Sequence, residues 1–548
     1  MCKPHLPTDR PNRRLCQVLR VIPSSRSDSH YPTQLPFFLT TMIVQAILAI
    51  LITHYCISLY RRSKLRHIPT LGYSWPLLSY ITAFKYEKHG FKLVEEGYRK
   101  FPNKVWKIRT LDEQAGDGWY IIANGTQSVE DISKAPNDQL SSTIFFGSVV
   151  RLGMKKNIVL QYHEMYREIR DTLEDSLKLT STGDEWVTLP LSQTILEACA
   201  RVYARLVVGH PHSENPEYTR IFAGAVKHIL EGKNLRVYPK FLRPFISRVS
   251  INTHGDIQRL ADLIEPLLKA IKREEKKHNG DDWPEKPKNI LSWTLDEAQR
   301  SGASELPCDI AKRLYLTALS LEGISRTVAL ALYELSIRPA SVYLNEIREE
   351  VRAVIEEVAR FSPAPDQDAL KLYEEQRGWE KIAIDMMHKL DSFVKEVLRY
   401  HDNQPVHLGS RVLKDFVFSD GTFIPAGSTL FVNSRGAHMD EELLENADTF
   451  NGFRYFKEQD QDQPRALAEQ VGARDPLTRT AFAYYTFGYG KHACPGRFTA
   501  SYIIKTMLAR ILTDYDFELT ESTQVYAETH RFPDESAMEM RFRKKVEE

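Results

Sequence analysis

The sequence predicts a mainly α-helical fold with a small β-rich region, preceded by a single N-terminal transmembrane helix. Three observations carry this expectation. Long stretches such as Phe498–Leu512 and Asp385–His401 repeat apolar residues at helical spacing. Only Trp106–Arg109 and Trp119–Ala123 read clearly as short strands, with Asn124-Gly125 as a turn signal behind them. Ser29 to Tyr60 contains no Asp, Glu, Lys or Arg.

Taken in order, residues 1–36 are a polar extension rich in proline and arginine. Residues 37–60 are the expected membrane anchor, since about 20 apolar residues cross a bilayer as a helix. Arg61, Arg62, Lys64 and Arg66 follow at once, which places the next domain in the cytosol by the positive-inside rule. The competing reading is a cleaved signal peptide, which the length of the apolar run and its basic sequel oppose. Arginines before the anchor work against this orientation, and Met42 at the head of the apolar run offers an alternative start that would omit residues 1–41. Residues 61–76 form a basic, proline-broken hinge, with Pro69, Gly72 and Pro76 as the breakers. Residues 77–548 are expected to form one helical domain, with no internal repeat and no second boundary.

Composition narrows the function. The 548 residues are 42% hydrophobic and 26% charged, and carry a formal net charge of +1. That balance gives no case for a nucleic-acid partner. Cys2, Cys16, Cys56, Cys199, Cys308 and Cys494 are scattered, without paired metal spacing, and a chain this long needs no disulfide framework.

The chemistry concentrates in Phe487-Gly-Tyr-Gly-Lys-His-Ala-Cys-Pro-Gly-Arg497. Its glycines permit tight turns and close approach to a flat ligand. Pro495 suits a first helical position. The apolar helix expected from Phe498 would leave Cys494 at a helix N-terminus, where unpaired N–H groups favour a thiolate. Such a sulfur suits axial ligation of haem iron.

This stretch resembles the haem-binding loop of cytochrome P450 enzymes, Phe-x-x-Gly-x-x-x-Cys-x-Gly, at all four fixed positions: Phe487, Gly490, Cys494 and Gly496. The resemblance covers roughly Arg61 to Glu548 and implies the cytochrome P450 fold, with haem b held by Cys494. Glu396-x-x-Arg399, on the expected helix Asp385–His401, stands upstream of Cys494 at about the family's separation. It implies a structural trio completed by Arg454. The resemblance further implies His492 and Arg411 as partners of the haem propionates. His163 or Arg167, with Arg170 as a competitor, would replace the family's Trp-x-x-x-Arg.

The expected oxygen-activating helix runs from Ile310 to about Ser336, with Asp309 as its cap. In its middle Glu322 falls at the family's acid position, while Gly323 and Ile324 replace the two threonines. Glu322 and Ser325 are therefore the candidate proton-delivery residues; the alternative is a simple pairing of Glu322 with Arg326. Gly323 is read as the point where the helix bends.

The function implied is that of a fungal secondary-metabolism monooxygenase in the endoplasmic reticulum membrane. It would oxidise an apolar terpenoid or polyketide intermediate with O2 and electrons from NADPH, delivered by a separate NADPH-cytochrome P450 reductase. Loss of the threonines keeps two alternatives open: a desaturase or ring-rearranging enzyme of the same family, or a reductase-independent haem-thiolate isomerase or lyase. The substrate is not legible.

Overall fold

A computed structural model describes most of residues 63–545. Outside the described residues lie 1–62 apart from isolated positions, the segments 142–153, 178–184, 236–252, 279–282, 362–377, 457–475, 530–536 and 546–548, and a few single positions and pairs. The expected anchor, 37–60, falls almost wholly outside them. Among the described residues no helix is long and apolar enough to cross a membrane.

Helices dominate the unit Arg61–Glu548. They are α1 (Ser79–Lys100), α2 (Thr126–Lys134), α3 (Met154–Ser176), α4 (Leu191–Val208) and α5 (Pro216–Asn234). Next come α6 (Thr253–Lys277), α7 (Ile290–Arg300), α8 (Pro307–Thr317), α9 (Ser320–Ser336) and α10 (Leu344–Phe361). The last are α11 (Lys381–Met386), α12 (His388–Tyr400), α13 (Ser434–His438), α14 (Arg497–Asp514) and α15 (Glu521–Thr529).

Both expected strands form and pair antiparallel, Trp106 opposite Ile122. They are β2 (Val105–Arg109) and β3 (Trp119–Ala123), the middle of a six-stranded sheet. Its order is β1 (Thr70–Leu71), β2, β3, β9 (Thr429–Val432), β6 (His407–Val412), β4 (Leu140–Ser141). The expected hinge thus contributes an edge strand, β1, parallel to β2. A three-stranded sheet runs β10 (Tyr515–Leu519), β11 (Glu539–Lys544), β5 (Val187–Pro190), and β7 (Phe416–Val417) pairs with β8 (Phe423–Ile424).

The main core gathers apolar residues from α3, α4, α9, α12 and α14. α9 supplies Leu321, Val328, Ala331, Leu332 and Leu335, and α14 supplies Ile503, Ile504, Met507, Leu508, Ile511 and Leu512. Each buried large aliphatic side chain contributes about 1.5–3 kcal/mol, so these two helices are fixed chiefly by their apolar faces. The sheet has its own smaller core around Ile121, Ile132, Leu430 and Tyr485.

Two expected helices are interrupted. The Asp385–His401 helix becomes α11 and α12, split at Met387, whose backbone (φ −77°, ψ 85°) is not helical. The Ile310–Ser336 helix becomes α8 and α9. Its break lies at Ala318-Leu319, ahead of Gly323, which sits inside α9. There the backbone tightens to three-residue bonds: Leu319 N–H to Leu316 O, Leu321 N–H to Ala318 O, and Glu322 N–H to Leu319 O. The cause is local. The Thr317 hydroxyl donates to Leu314 O at 2.8 Å and the Ser320 hydroxyl to Thr317 O at 2.8 Å, so side chains compete for the helix carbonyls. Asp309 does not cap. The helix opens on Leu306 with Pro307 in its first turn, and the Asp309 carboxylate takes Ser304 and Lys312 instead.

Candidate functional site

The loop before α14 closes on itself. The N–H of Cys494 donates to Phe487 O at 2.7 Å, and those of His492 and Ala493 donate to Tyr489 O and Gly490 O, both at 3.1 Å. Two glycines make this possible by adopting left-handed backbone, Gly488 at φ 73° and Gly490 at φ 56°. A Cβ added at Gly488 would stand 2.6 Å from His492 O. The loop rests on α2: an added Cβ at Gly490 would meet Ser133, and Lys491 Nζ donates to Ala135 O. Phe487 anchors the loop against the main core.

Helix α14 begins at Arg497, with Gly496 as its cap residue, so Pro495 lies just outside the helix and not at its first position. Cys494 is nevertheless where a thiolate would be held. Solvent reaches it, but the atoms crowded around the sulfur push the thiol's pKa up. The backbone N–H groups of Gly496 and Arg497, with the Arg497 charge, oppose that rise. Hydrogen-bond donors at a helix start, directed at one sulfur, are the donor chemistry that a thiolate ligand to haem iron requires. The residues fit the group.

Glu396, Arg399 and Arg454 come together. Arg399 grips Glu396 through Nε at 2.7 Å and Nη2 at 2.8 Å, and neither side chain is exposed. Arg454 Nε lies 3.2 and 3.1 Å from the two Glu396 oxygens. The remaining guanidinium donors reach the carbonyls of His438, Ala447, Asn446 and Thr449. The trio therefore pins the segment Ala437–Arg454 to α12.

On α9, Glu322 is half-buried in the first turn. Ser325 is buried and its hydroxyl donates to Glu322 O at 3.3 Å, while the Thr327 hydroxyl donates to Gly323 O at 2.6 Å. Arg326 reaches across to His401 O at 3.0 Å.

The proposed propionate partners divide. His492 is half-buried and ends the short 3-10 turn Gly490–His492 in the cysteine loop itself. Arg411, half-buried on β6, donates to Thr429 Oγ1 at 3.0 Å. His163 is half-buried on α3, next to Tyr162, whose ring meets Tyr502 of α14 edge-on. Arg167 is on the same helix. It lines a charged cleft of about 1360 Å³ with Glu164, Glu168, Arg201 and Arg205, and no residue of the cysteine loop lines that cleft. A second polar cluster, Asp402, His407 and His438, abuts the loop at Tyr485 and was missed from the sequence; its members lie on different elements with no fixed spacing.

A cytochrome P450 family model matches residues 147–538, well over half of the chain. "Cytochrome P450 monooxygenase 151" of Postia placenta is 29% identical over 484 residues, covering 84% of this chain and 90% of that protein. "Cytochrome P450 monooxygenase CYP512U6" of Ganoderma lucidum is 29% identical over 502 residues, covering 87% and 90%. "Ent-kaurene oxidase" of Gibberella intermedia is 25% identical over 492 residues, covering 85% of each. With this match, and with a cysteine loop suited to a haem thiolate, the chain belongs to the cytochrome P450 family and is an oxidoreductase of the monooxygenase class.

Proposed function

We propose that this chain oxidises a small apolar intermediate of fungal secondary metabolism, taking electrons from NADPH through a separate reductase. The observation that carries the reading is the Cys494 loop, in which Gly488 and Gly490 close the backbone while the Gly496 and Arg497 N–H groups support the sulfur. Cys494 would be the thiolate ligand of haem b, Phe487, Gly490 and Gly496 would shape the loop beside it, and His492 and Arg411 would meet its propionates. Haem, when bound, supplies the oxygen-activating chemistry. The protein's part is to bind and orient the substrate, exclude water, and move protons. Glu322 is the proposed proton carrier, with Ser325 one turn on. An anchor at 37–60 would hold the chain on the endoplasmic reticulum membrane, with the helical domain in the cytosol. The named relatives of fungal origin, among them an ent-kaurene oxidase, are consistent with a terpenoid substrate.

A second outcome, desaturation or ring rearrangement, is favoured by one observation. The hydroxyls near the acid, Ser325 and Thr327, both donate to carbonyls of their own helix, and glycine stands where the family places threonine. The deciding experiment compares the molecular formula of the metabolite that accumulates on gene deletion with that of its product. A gain of one oxygen supports hydroxylation. A loss of two hydrogens, or an unchanged formula on a new skeleton, supports the second outcome. Turnover without NADPH and O2 would overturn both.

A further inference from the structure

Asp402 lies in the connection between α12 and β6, and its side chain has no exposed surface. Its two oxygens face two histidines from different elements. Oδ1 is 2.9 Å from Nε2 of His407, the first residue of β6. Oδ2 is 3.1 Å from Nδ1 of His438, the last residue of α13. This second contact couples Asp402 and His438 through charge and dipole.

His438 is also without exposed surface. Its ring lies near-parallel to those of Tyr484 and Tyr485, at centroid distances of 6.1 and 6.2 Å. Nε2 of His438 accepts the backbone N–H of Tyr485 at 2.9 Å. One N–H cannot accept from another, so this bond assigns the neutral tautomer with its proton on Nδ1, toward Asp402. The other charged group at this residue is Arg399, which donates to the His438 carbonyl.

The contact continues into the cysteine loop. Tyr485 O accepts the N–H of Gly488 at 2.6 Å, and Phe487 O accepts the N–H of Cys494 at 2.7 Å. A run of contacts therefore leads from a buried carboxylate, through one imidazole, to the backbone that sets the cysteine's position. Partners behind a metal ligand orient it and tune it.

We infer that His438 is a positioning residue for Cys494: held in one tautomer by Asp402, it fixes the Tyr485 amide and through it the entry angle of the cysteine loop. This rests on the haem-thiolate reading proposed above. His438 touches neither haem nor substrate in this role; it acts through the loop.

Three variants of the full, haem-loaded chain test it. His438→Leu removes the acceptor. Asp402→Asn keeps the shape but lets the imidazole proton move to Nε2, opposite the Tyr485 N–H. His438→Gln keeps both an acceptor for Tyr485 and a donor for Asp402. The readout is the carbon monoxide spectrum of the reduced protein, as the ratio of thiolate-ligated to thiol-ligated forms, beside total haem by the pyridine method. The expected result is a ratio lowered roughly 10-fold in His438→Leu and Asp402→Asn at similar haem content, with His438→Gln close to wild type. Should His438→Leu not fold, the other two decide. Equal ratios in wild type and Asp402→Asn overturn the inference and leave the haem-thiolate reading standing. Wild-type protein that binds haem without a thiolate-ligated form overturns both.

Discussion

Arg399 holds Glu396 through two donors, Nε at 2.7 Å and Nη2 at 2.8 Å, and both side chains are shut away from solvent. Three residues apart on α12, they form the geometry in which a planar guanidinium matches a carboxylate. Arg454 enters from the other side, 11% exposed, and shares the same two oxygens. One carboxylate thus balances a buried cation and a half-buried one. Glu396→Ala is expected to cost about 3–5 kcal/mol, because it leaves two guanidiniums uncompensated, not because one ion pair is lost. A sharp fall in soluble, haem-loaded protein and in its resistance to urea would register this. Wild-type resistance would show that the trio is dispensable.

Asp402 gives a pH prediction. Burial alone would raise its pKa, but the charge and hydrogen bond of His407, with His438 beyond, outweigh burial and hold it below the ordinary carboxylate value. A folded-state pKa below the unfolded one contributes stability that is present above the unfolded value, about 3.9, and lost as pH falls through the folded one. Asp402→Asn should therefore be less stable than wild type near pH 5, where the carboxylate is ionised. The margin should narrow as the pH drops below about 4. Denaturation profiles at several pH values would show it; a margin that widens toward acid contradicts the assignment.

Gly488 isolates the backbone's part in the cysteine loop. At φ 73° a side chain costs about 1–2 kcal/mol. The added Cβ would also sit 2.6 Å from a carbonyl oxygen, His492 O, which cannot swing away as a side chain could. Gly488→Ala should thus lower haem content and thermal stability together, and more than backbone strain alone predicts. Gly421→Ala is the control, with the same left-handed sign at φ 84° but no atom within 4 Å of the new Cβ.

The reach of the sequence can be read from these same residues. Local patterns transferred well: the strands at Trp106–Arg109 and Trp119–Ala123, the helix after the cysteine, and the Glu396–Arg399 spacing all depend on neighbours in the chain. The breaks at Met387 and Ala318-Leu319 were not legible. Both interrupt continuous apolar periodicity, and the second depends on which carbonyl the Thr317 and Ser320 hydroxyls choose. Arg167, four residues on from His163 in α3, lines a charged cleft with Glu164 and Glu168, a setting that chain spacing alone does not reveal. Asp402, His407 and His438 could not have been grouped, because tertiary folding alone brings a connection, a strand and a helix end together.

Glu322 should matter to coupling more than to folding. It is half-buried in the first turn of α9, just after the tightened segment, where an acidic side chain is favoured by the helix dipole. If it carries protons, Glu322→Ala should keep haem content and substrate binding while NADPH is consumed with less product formed. Measuring product against NADPH oxidised settles this, and unchanged coupling removes Glu322 from the mechanism.

Gly323 follows it inside a helix, where glycine costs about 1 kcal/mol relative to alanine. Beyond its chain neighbours and its own helix backbone, nothing lies within 4 Å of the Cβ that alanine would add, so packing does not require the glycine. Gly323→Ala is therefore expected to raise the thermal midpoint. The glycine leaves open space beside Glu322. The same variant should then change the product profile, because the new methyl stands beside Glu322 on the stretch proposed to handle protons. Greater stability with an altered profile would mean that this glycine shapes the reaction. Greater stability with the profile intact would mean that the departure from the family's threonine is neutral, and that ordinary oxygen insertion needs no explanation from this position.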